Sequence, residues 1–257
     1  MITAEKIRKY IKNKFDITVF DCIPSTNTYL KEKAKEGAPA GTVIISRSQS
    51  EGKGRLGRSF FSPDSTGIYL SLLLRPDAPP DTALSITACA AVCAAEAIEE
   101  VCKVNAEIKW VNDIYCDNKK VCGILTEGYI DPVTSNLSFA VLGIGINVYP
   151  PKNGFPTEIL DIAGSVLPYS EDDEIPNRLT AAFLDNFIEK YKHIEDKSFL
   201  AEYKKRSYLL GKEVRVLNSD TSGTAIDIDD NFHLILKLSD GKILSLSSGE
   251  VSVRKIQ

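Results

Sequence analysis

The sequence predicts an α+β protein of two parts: a larger body of mixed helices and strands, residues 1–208, and a small all-β domain, residues 209–257. Strand-like apolar runs and helical segments follow one another through the body. After Gly211 the pattern changes to short alternating strands with tight turns, which is typical of a small β-barrel or meander. The five strands predicted there are Val214–Leu217, Gly223–Ile228, Phe232–Leu238, Ile243–Leu246 and Val251–Val253.

The body begins with two helices and two strands. Ser25 has the hydroxyl expected of a helix N-cap, and Gly37 is a suitable stop for the helix that Ser25 opens. A near-continuous apolar run from Gly67 is typical of a strand buried on both faces. The predicted elements are, in chain order, a basic helix over Glu5–Lys14, a helix over Thr26–Glu36, and strands over Thr42–Ser46 and Gly67–Arg75.

A long helix, three strands and two further helices complete the body. Pro79 and Pro80 precede an Ala-rich run, which predicts a helix to about Lys103 with Asp81 as its N-cap. Residues 150–175 are rich in Pro, Gly and acidic residues, which predicts a long functional or mobile loop. The other predicted elements are strands over Glu107–Val111, Val121–Tyr129 and Leu137–Val148, and helices over Ile175–Asp196 and Phe199–Ser207.

The composition indicates a globular protein of the cytoplasm. Hydrophobic residues make up 43% of the 257 positions, enough for a real core, and the net charge of −4 does not favour nucleic-acid binding. No apolar run has the length of a membrane span, and the first residues lack the apolar stretch of a signal peptide. Six cysteines without a CxxC pair, together with only two histidines, favour buried thiols over a metal site.

The loop Gly52–Arg58 interleaves three glycines with three cations. It matches the G-x-G-x-x-G pattern of dinucleotide-binding turns, but Pro63 blocks the helix that such a turn must open. Exposed backbone N–H groups and positive charge instead predict binding of phosphate or carboxylate, with a solvated basic surface loop as the alternative. Leu56 is the one residue of this loop that we expect to anchor it to a core.

Four further stretches place polar groups where a ligand could meet them. Pro24–Asn27 lies at a helix N-terminus, which suits an anion or a polar head group but is also explained by helix capping. Lys109–Asp113 surrounds the only Trp at a strand end, where a buried Trp with polar tips is the alternative. Lys119–Lys120 precedes an apolar strand, so its ammonium groups face either solvent or a cleft. Gly143–Asn147 has two glycines inside a strand, which indicates close approach of a ligand or backbone, or a β-bulge.

In this order, from about Asp21 to the C-terminus, the motifs resemble those of the biotin–protein ligase family. The stretches that carry the resemblance are Ser25–Asn27, Gly52–Arg58 with Ser62–Pro63, Lys109–Asp113, Lys119–Leu125 and Gly143–Asn147. Three positions depart from the family pattern. Lys53 stands where Arg is usual and so loses the bidentate guanidinium, Phe60 stands where Trp is common, and Val111 replaces the usual Pro.

The resemblance implies a fold and a two-step reaction. The body should be a mixed β-sheet with flanking helices, like a class II synthetase domain, and the C-terminal part an SH3-like barrel. Biotin and ATP, with Mg²⁺, should give biotinyl-5′-AMP, and the biotinyl group should then pass to a lysine of a biotin carboxyl carrier domain, that of acetyl-CoA carboxylase or another carboxylase. Such families include monomers and homodimers.

The resemblance also implies roles for individual residues. Lys120 should bridge the biotin carboxylate and the α-phosphate, Arg55 should close over the adenylate, and Asp113 should either orient Lys120 or accept the proton of the carrier lysine. The residues expected to bind biotin or nucleotide are Ser25, Thr26, Asn27, Gln49, Gly52, Lys53, Gly54, Arg58, Trp110, Asn112, Gly123 and Asn147. No residue is assigned as a metal ligand, and the ligands of Mg²⁺ are left open.

Two other functions are open at this point. A lipoate– or octanoate–protein ligase uses the same scaffold, although the Gly/Arg loop follows the biotin pattern. A non-catalytic biotin-responsive regulator would bind DNA through a helix-turn-helix domain. Only about 20 residues and one short helix precede the first motif, where such a module needs three helices, so we expect a monofunctional ligase without DNA binding.

Overall fold

A seven-stranded mixed sheet forms the centre of the body in the computed structural model, which describes residues 1–170, 172–217, 219–247 and 251–253. The sheet order is β1-β2-β3-β7-β6-β5-β4, with β1 and β2 parallel and the other neighbours antiparallel. The predicted α+β class is therefore confirmed. The strands are β1 (Asp16–Ile23), β2 (Thr42–Gln49), β3 (Gly67–Leu74), β4 (Glu107–Lys109), β5 (Asp113–Cys116), β6 (Lys119–Ile130) and β7 (Leu137–Asn147).

Strands β1 and β5 were not predicted, and pairing with β1 makes β2 longer than predicted. β1 carries polar residues and lies at the edge of the sheet, so its sequence lacks a clear apolar pattern. Its parallel pairing sets Ile23 opposite Gln49 and carries β2 past its predicted end at Ser46. β5 has only four residues, too few for a periodic signal. The extension matters because it fixes Gln49 on the sheet.

The helices begin close to where they were predicted but several end earlier. α1 is short, because the carboxylate of Asp185 accepts hydrogen bonds from the backbone N–H groups of Lys12 and Asn13 (2.8 and 2.9 Å). The side chain of Ser25 caps α2 as predicted, whereas Asp81 takes the N-cap position of α3 without a capping hydrogen bond. The helices are α1 (Ala4–Arg8), α2 (Thr26–Lys35), α3 (Thr82–Cys102), α4 (Ile175–Tyr191) and α5 (Leu200–Lys205).

Helix α3 is the main element of the core. By length and hydropathy it could cross a membrane, but 67% of its most apolar window is buried inside the protein. Its neighbours are α4, α5 and the face of the sheet that carries β6. It is therefore a core helix. The opposite face of the sheet receives α2, whose Leu30 and Ala34 are buried against Ile44 and Leu73.

The C-terminal domain is a five-stranded antiparallel sheet with the order β11-β10-β9-β8-β12. β8 to β11 form a meander, and β12 returns beside β8. All five predicted strands are present; the end of the chain, residues 254–257, lies outside the described residues. The strands are β8 (Glu213–Val216), β9 (Ser222–Ile228), β10 (Leu234–Leu238), β11 (Ile243–Leu246) and β12 (Val251–Val253).

Candidate active site

A cavity lies where the start of α2, the Gly52–Arg58 loop and the strands β6 and β7 meet. It gathers residues from motifs that are far apart in the sequence, because α2 packs on the same face of the sheet that the loop covers. Twelve of the fifteen predicted site residues line it. They are Ser25, Thr26, Asn27, Gln49, Lys53, Gly54, Arg55, Arg58, Asn112, Asp113, Lys120 and Gly123.

The Gly52–Arg58 loop forms a flap over this cavity. Its two arms are joined by hydrogen bonds from Gly54 N to Arg58 O (2.7 Å) and from Phe60 N to Gly52 O (2.8 Å), and its tip is a 3₁₀ turn. The expectation that Leu56 anchors the flap is wrong: this side chain is 71% exposed, at a φ of 55°. The flap is held instead through its cation Arg55.

Arg55 ties the flap to the turn between β4 and β5. Its Nη1 donates to Oδ1 of Asn112 (3.0 Å), and Nδ2 of Asn112 donates to the carbonyl of Ile124 on β6 (2.8 Å). Flap, turn and sheet are thus joined by two consecutive hydrogen bonds. Loss of the Arg55 side chain removes the first of these links.

Lys120 and Asp113 form an ion pair inside the cavity. Nζ of Lys120 lies 2.7 Å from Oδ1 of Asp113, and both side chains are mostly buried. The backbone of Lys120 is also held, because its N–H donates to Ile162 O (2.8 Å) and its carbonyl accepts from Gly164 N (2.9 Å). Residues 162–164 therefore support the strand that presents the lysine.

Glycines make room for two side chains at the floor of the cavity. Gly123 and Gly145 face each other across β6 and β7 beneath the ring of Phe60, and a Cβ on Gly145 would lie 2.5 Å from its Cε1. A Cβ on Gly143 would lie 2.1 Å from Oδ1 of Asn27. The strand glycines thus accommodate side chains of the protein itself, a cause that the sequence prediction did not consider.

The wall of the cavity formed by the start of α2 and the end of β2 carries hydroxyl and amide groups. The N–H of Thr26 donates to Oε1 of Gln49 (2.8 Å), which turns Nε2 of Gln49 towards Oγ of Ser62 (2.9 Å). Nε2 carries a second hydrogen, which has no acceptor among the described residues. Ser25 Oγ accepts from Thr28 N (3.4 Å) and keeps its own proton available. Both groups can donate to a ligand.

Three predicted residues lie outside the cavity lining. Trp110 is buried, and its Nε1 donates to the carbonyl of Phe232 in the C-terminal domain (2.7 Å). Asn147 donates from Nδ2 to Gly164 O (3.0 Å), and Gly52 contributes a backbone contact to the flap. The lining residues that were not predicted as ligand contacts are Ser59, Phe60, Leu70, Ile124, Leu125, Gly143, Ile144 and Gly145. The glycines and Phe60 lay within recognised motifs, whereas Leu70 gave no local signal.

The cavity is cationic in a protein of net negative charge. Lys53, Arg55, Arg58 and Lys120 line it, and Asp113 is its one carboxylate. Behind it, burial raises the pKa of Tyr69 to about 12, so this phenol stays neutral and donates to the carbonyl of Pro63 at the base of the flap (2.9 Å). A cluster of fixed cations facing polar donors suits an elongated ligand with an anionic group at one end.

No cluster of three or more His, Cys, Asp or Glu side chains suited to a metal ion occurs within the described ranges. Among the residues that the structure describes, the cavity lining contains a single carboxylate, that of Asp113. Mg²⁺ is commonly bound through substrate phosphates together with one or two carboxylates.

Two family models match the chain. The Biotin/lipoate A/B protein ligase family matches residues 19–147, and the Biotin protein ligase C terminal domain matches residues 209–254. The first covers the flap, the Lys109–Asp113 turn and Lys120. The second covers the five-stranded sheet.

Curated relatives resemble most of the chain. The Bifunctional ligase/repressor BirA of Bacillus subtilis is 34% identical over 226 residues, 86% of this chain and 69% of that protein. The Biotin--[acetyl-CoA-carboxylase] ligase of Mycobacterium tuberculosis is 33% identical over 238 residues, 88% of this chain and 85% of that protein. Among solved structures, the biotin protein ligase from Aquifex aeolicus in complex with biotin and ATP superposes with a TM-score of 0.73 at 26% identity, covering 93% of this chain and 98% of that chain.

Proposed function

Because the chain belongs to the biotin/lipoate A/B protein ligase family, we propose that it acts as a biotin–protein ligase that converts biotin and ATP into biotinyl-5′-AMP and passes biotin to a lysine of a carboxyl carrier domain. The observation that carries this function is the cavity itself. Lys120 and the cations of the flap line it together with the free donors of Gln49 and Ser25. Biotin has a carboxylate at one end and a ureido carbonyl at the other.

The first step joins two anions, and the cations of the site make this feasible. A carboxylate oxygen of biotin attacks the α-phosphorus of ATP, the P–O bond to the β-phosphate breaks, and pyrophosphate leaves. Lys120 neutralises the charge that accumulates between carboxylate and α-phosphate, while Arg55 and Arg58 contact the phosphates from the flap. Mg²⁺ bound to ATP would supply further neutralisation. Charge-assisted hydrogen bonds contribute about 1.5–3 kcal/mol each, so a few offset the repulsion.

The second step is the attack of a carrier lysine on the mixed anhydride. The amine nitrogen forms a bond to the acyl carbon, the bond from that carbon to the phosphate oxygen breaks, AMP leaves, and the amine loses a proton. Asp113 is placed to orient Lys120, since the two charged atoms are 2.7 Å apart. We therefore assign Asp113 the orienting role in the first step. The carrier in the second step is the carboxyl carrier domain of a biotin-dependent carboxylase. We assign Asn147 to the nucleotide site, where it acts indirectly: its Nδ2 donates to the carbonyl of Gly164 and so holds the segment around that residue.

The free donors of the cavity wall favour biotin over lipoate. A ureido carbonyl can accept from Gln49 and Ser25, whereas a dithiolane ring offers these donors no oxygen and leaves them unsatisfied. We expect kcat/KM for lipoate to be at least about 100-fold below that for biotin. Pyrophosphate exchange with each acid, followed by mass measurement of a carrier domain, checks this. Preferential lipoylation would replace the biotin assignment with the lipoate ligase alternative.

Removal of the Arg55 side chain should loosen the flap. In Arg55→Gly the link to Asn112 is lost, so the intermediate should escape before a carrier binds. We expect Arg55→Gly to biotinylate an added bystander protein such as serum albumin more strongly than the wild-type protein does. Arg75→Gly is the matched control, because Arg75 contacts carbonyls of Ala34 and Ala38 far from the flap. Label confined to the carrier in Arg55→Gly would contradict the retaining role.

A further inference from the structure

A chain of hydrogen bonds runs behind the wall of the cavity and ends on two residues that do not line it. On the basis of the function assigned above, we propose that Ser71 and Glu127 are positioning residues for the biotin head group. They hold Asn27 and Thr26, and through Thr26 they hold the amide of Gln49. Neither Ser71 nor Glu127 is among the residues that line the cavity.

Glu127 sets the orientation of Asn27. A carboxylate only accepts hydrogen bonds, so the amide nitrogen of Asn27 must face it, and Nδ2 lies 2.9 Å from Oε2. The carbonyl of Leu125 is a second acceptor for Nδ2 (3.4 Å). Oδ1 of Asn27 is therefore turned to β3, where Oγ of Ser71 donates to it (2.6 Å). Asn27 thus uses its amide within the protein and forms part of the wall.

Ser71 connects this group to the ligand-facing residues. It is completely buried, and its Oγ also lies 2.8 Å from Oγ1 of Thr26. The N–H of Thr26 can only donate, so it fixes Oε1 of Gln49 towards itself (2.8 Å), and Oγ1 of Thr26 lies 3.1 Å from the same atom. The position of Thr26 consequently sets the direction of the free N–H of Gln49. Ser71 holds Thr26 in that place.

The expected effect is confined to binding of the biotin head group. The chain from Glu127 to Gln49 serves the head group, whereas Lys120 and Arg55, which serve the carboxylate and phosphates, have separate contacts with Asp113 and Asn112. Loss of the Ser71 hydroxyl should therefore weaken biotin binding and leave the chemical step and ATP binding intact. A general loss of folding would alter all three.

Ser71→Ala tests the proposal. We expect KM and Kd for biotin to rise about tenfold, from the unsatisfied Oδ1 of Asn27 and a displaced Thr26, with kcat and the KM for ATP within about twofold of wild type. Pyrophosphate exchange gives the kinetic constants, and calorimetric titration with biotin alone gives Kd.

Glu127 supplies a second pair of variants. Glu127→Gln keeps an oxygen for Asn27 and should bind biotin nearly as wild type, whereas Glu127→Leu should not.

Thr87 is a matched control on the other face of the sheet. Its Oγ1 lies 2.8 Å from Oγ1 of Thr126, the neighbour of Glu127 along β6, so Thr87→Ala removes a similar buried contact on α3. We expect lower thermal stability and an unchanged KM for biotin. The proposal is overturned if Ser71→Ala and Glu127→Leu leave biotin binding unchanged, or if Thr87→Ala raises KM as much. Absence of biotin-dependent exchange in the wild-type protein would instead overturn the proposed function.

Discussion

Lys120→Ala should reduce biotin-dependent pyrophosphate exchange by at least about 100-fold, because fixed cationic groups at developing charge supply several kcal/mol of transition-state stabilisation. The ammonium is positioned in the cavity by the protein itself, paired with Asp113 at 2.7 Å and carried by a strand whose backbone is bonded to Ile162 and Gly164. Its removal also leaves Asp113 without a counter-charge in a site that must receive two anions. Both effects lower the rate of adenylate formation.

Lys119→Ala is the control for this substitution. Nζ of Lys119 contacts the carbonyls of Leu160 and Asp161 at the surface. The substitution therefore removes a neighbouring cation but leaves the Lys120–Asp113 pair in the cavity intact. We expect exchange activity close to wild type and an unchanged circular dichroism spectrum in both variants. Exchange by Lys120→Ala at a rate similar to that of Lys119→Ala would remove Lys120 from the mechanism. Asp113→Asn should lie between the two, since the amide keeps one hydrogen bond to Lys120 but not the charge.

Local sequence signals picked out the residues that line the cavity more completely than they predicted the contacts that hold these residues. The cations, the Ser25 cap and the strand glycines are read from neighbouring residues, and the cavity brings most of them together. The partner of Trp110 is 122 residues away in the C-terminal domain, and Glu127 is 100 residues from Asn27. Such pairs depend on which elements pack together. No pattern within one segment records that information.

The flap illustrates the same limit in one segment. Leu56 was expected to anchor it on the general ground that an apolar residue seeks a core, yet its side chain is exposed and Arg55 makes the anchoring contact. The acceptor, Asn112, belongs to a turn whose position depends on the pairing of β4 with β5. Because β5 is too short to be recognised from its sequence, neither the turn nor the contact was predictable.

Gly145→Ala should lower kcat/KM for biotin by about 5- to 150-fold, because overpacking costs about 1–3 kcal/mol and every factor of ten corresponds to about 1.4 kcal/mol. The added Cβ would lie 2.5, 2.7 and 3.0 Å from three atoms of the Phe60 ring. The ring cannot stay in place, and Phe60 is bonded through its N–H to Gly52 in the flap (2.8 Å). Displacement of Phe60 therefore moves the base of the flap together with the cavity wall.

A second substitution can show that the ring is the cause. Phe60→Leu removes the ring atoms that the new methyl group of Gly145→Ala would meet. The double variant should therefore lose less kcat/KM than the two single variants together predict. Gly128→Ala on β6 is the control, because its Cβ would meet only the end of the flexible Leu137 side chain, away from the cavity. If the two losses of kcat/KM were strictly additive, Gly145 would be required for a reason other than making room for the Phe60 ring. A positive coupling would establish that the strand glycines and the aromatic residue after the flap act as one unit, in which Phe replaces the Trp common in the family.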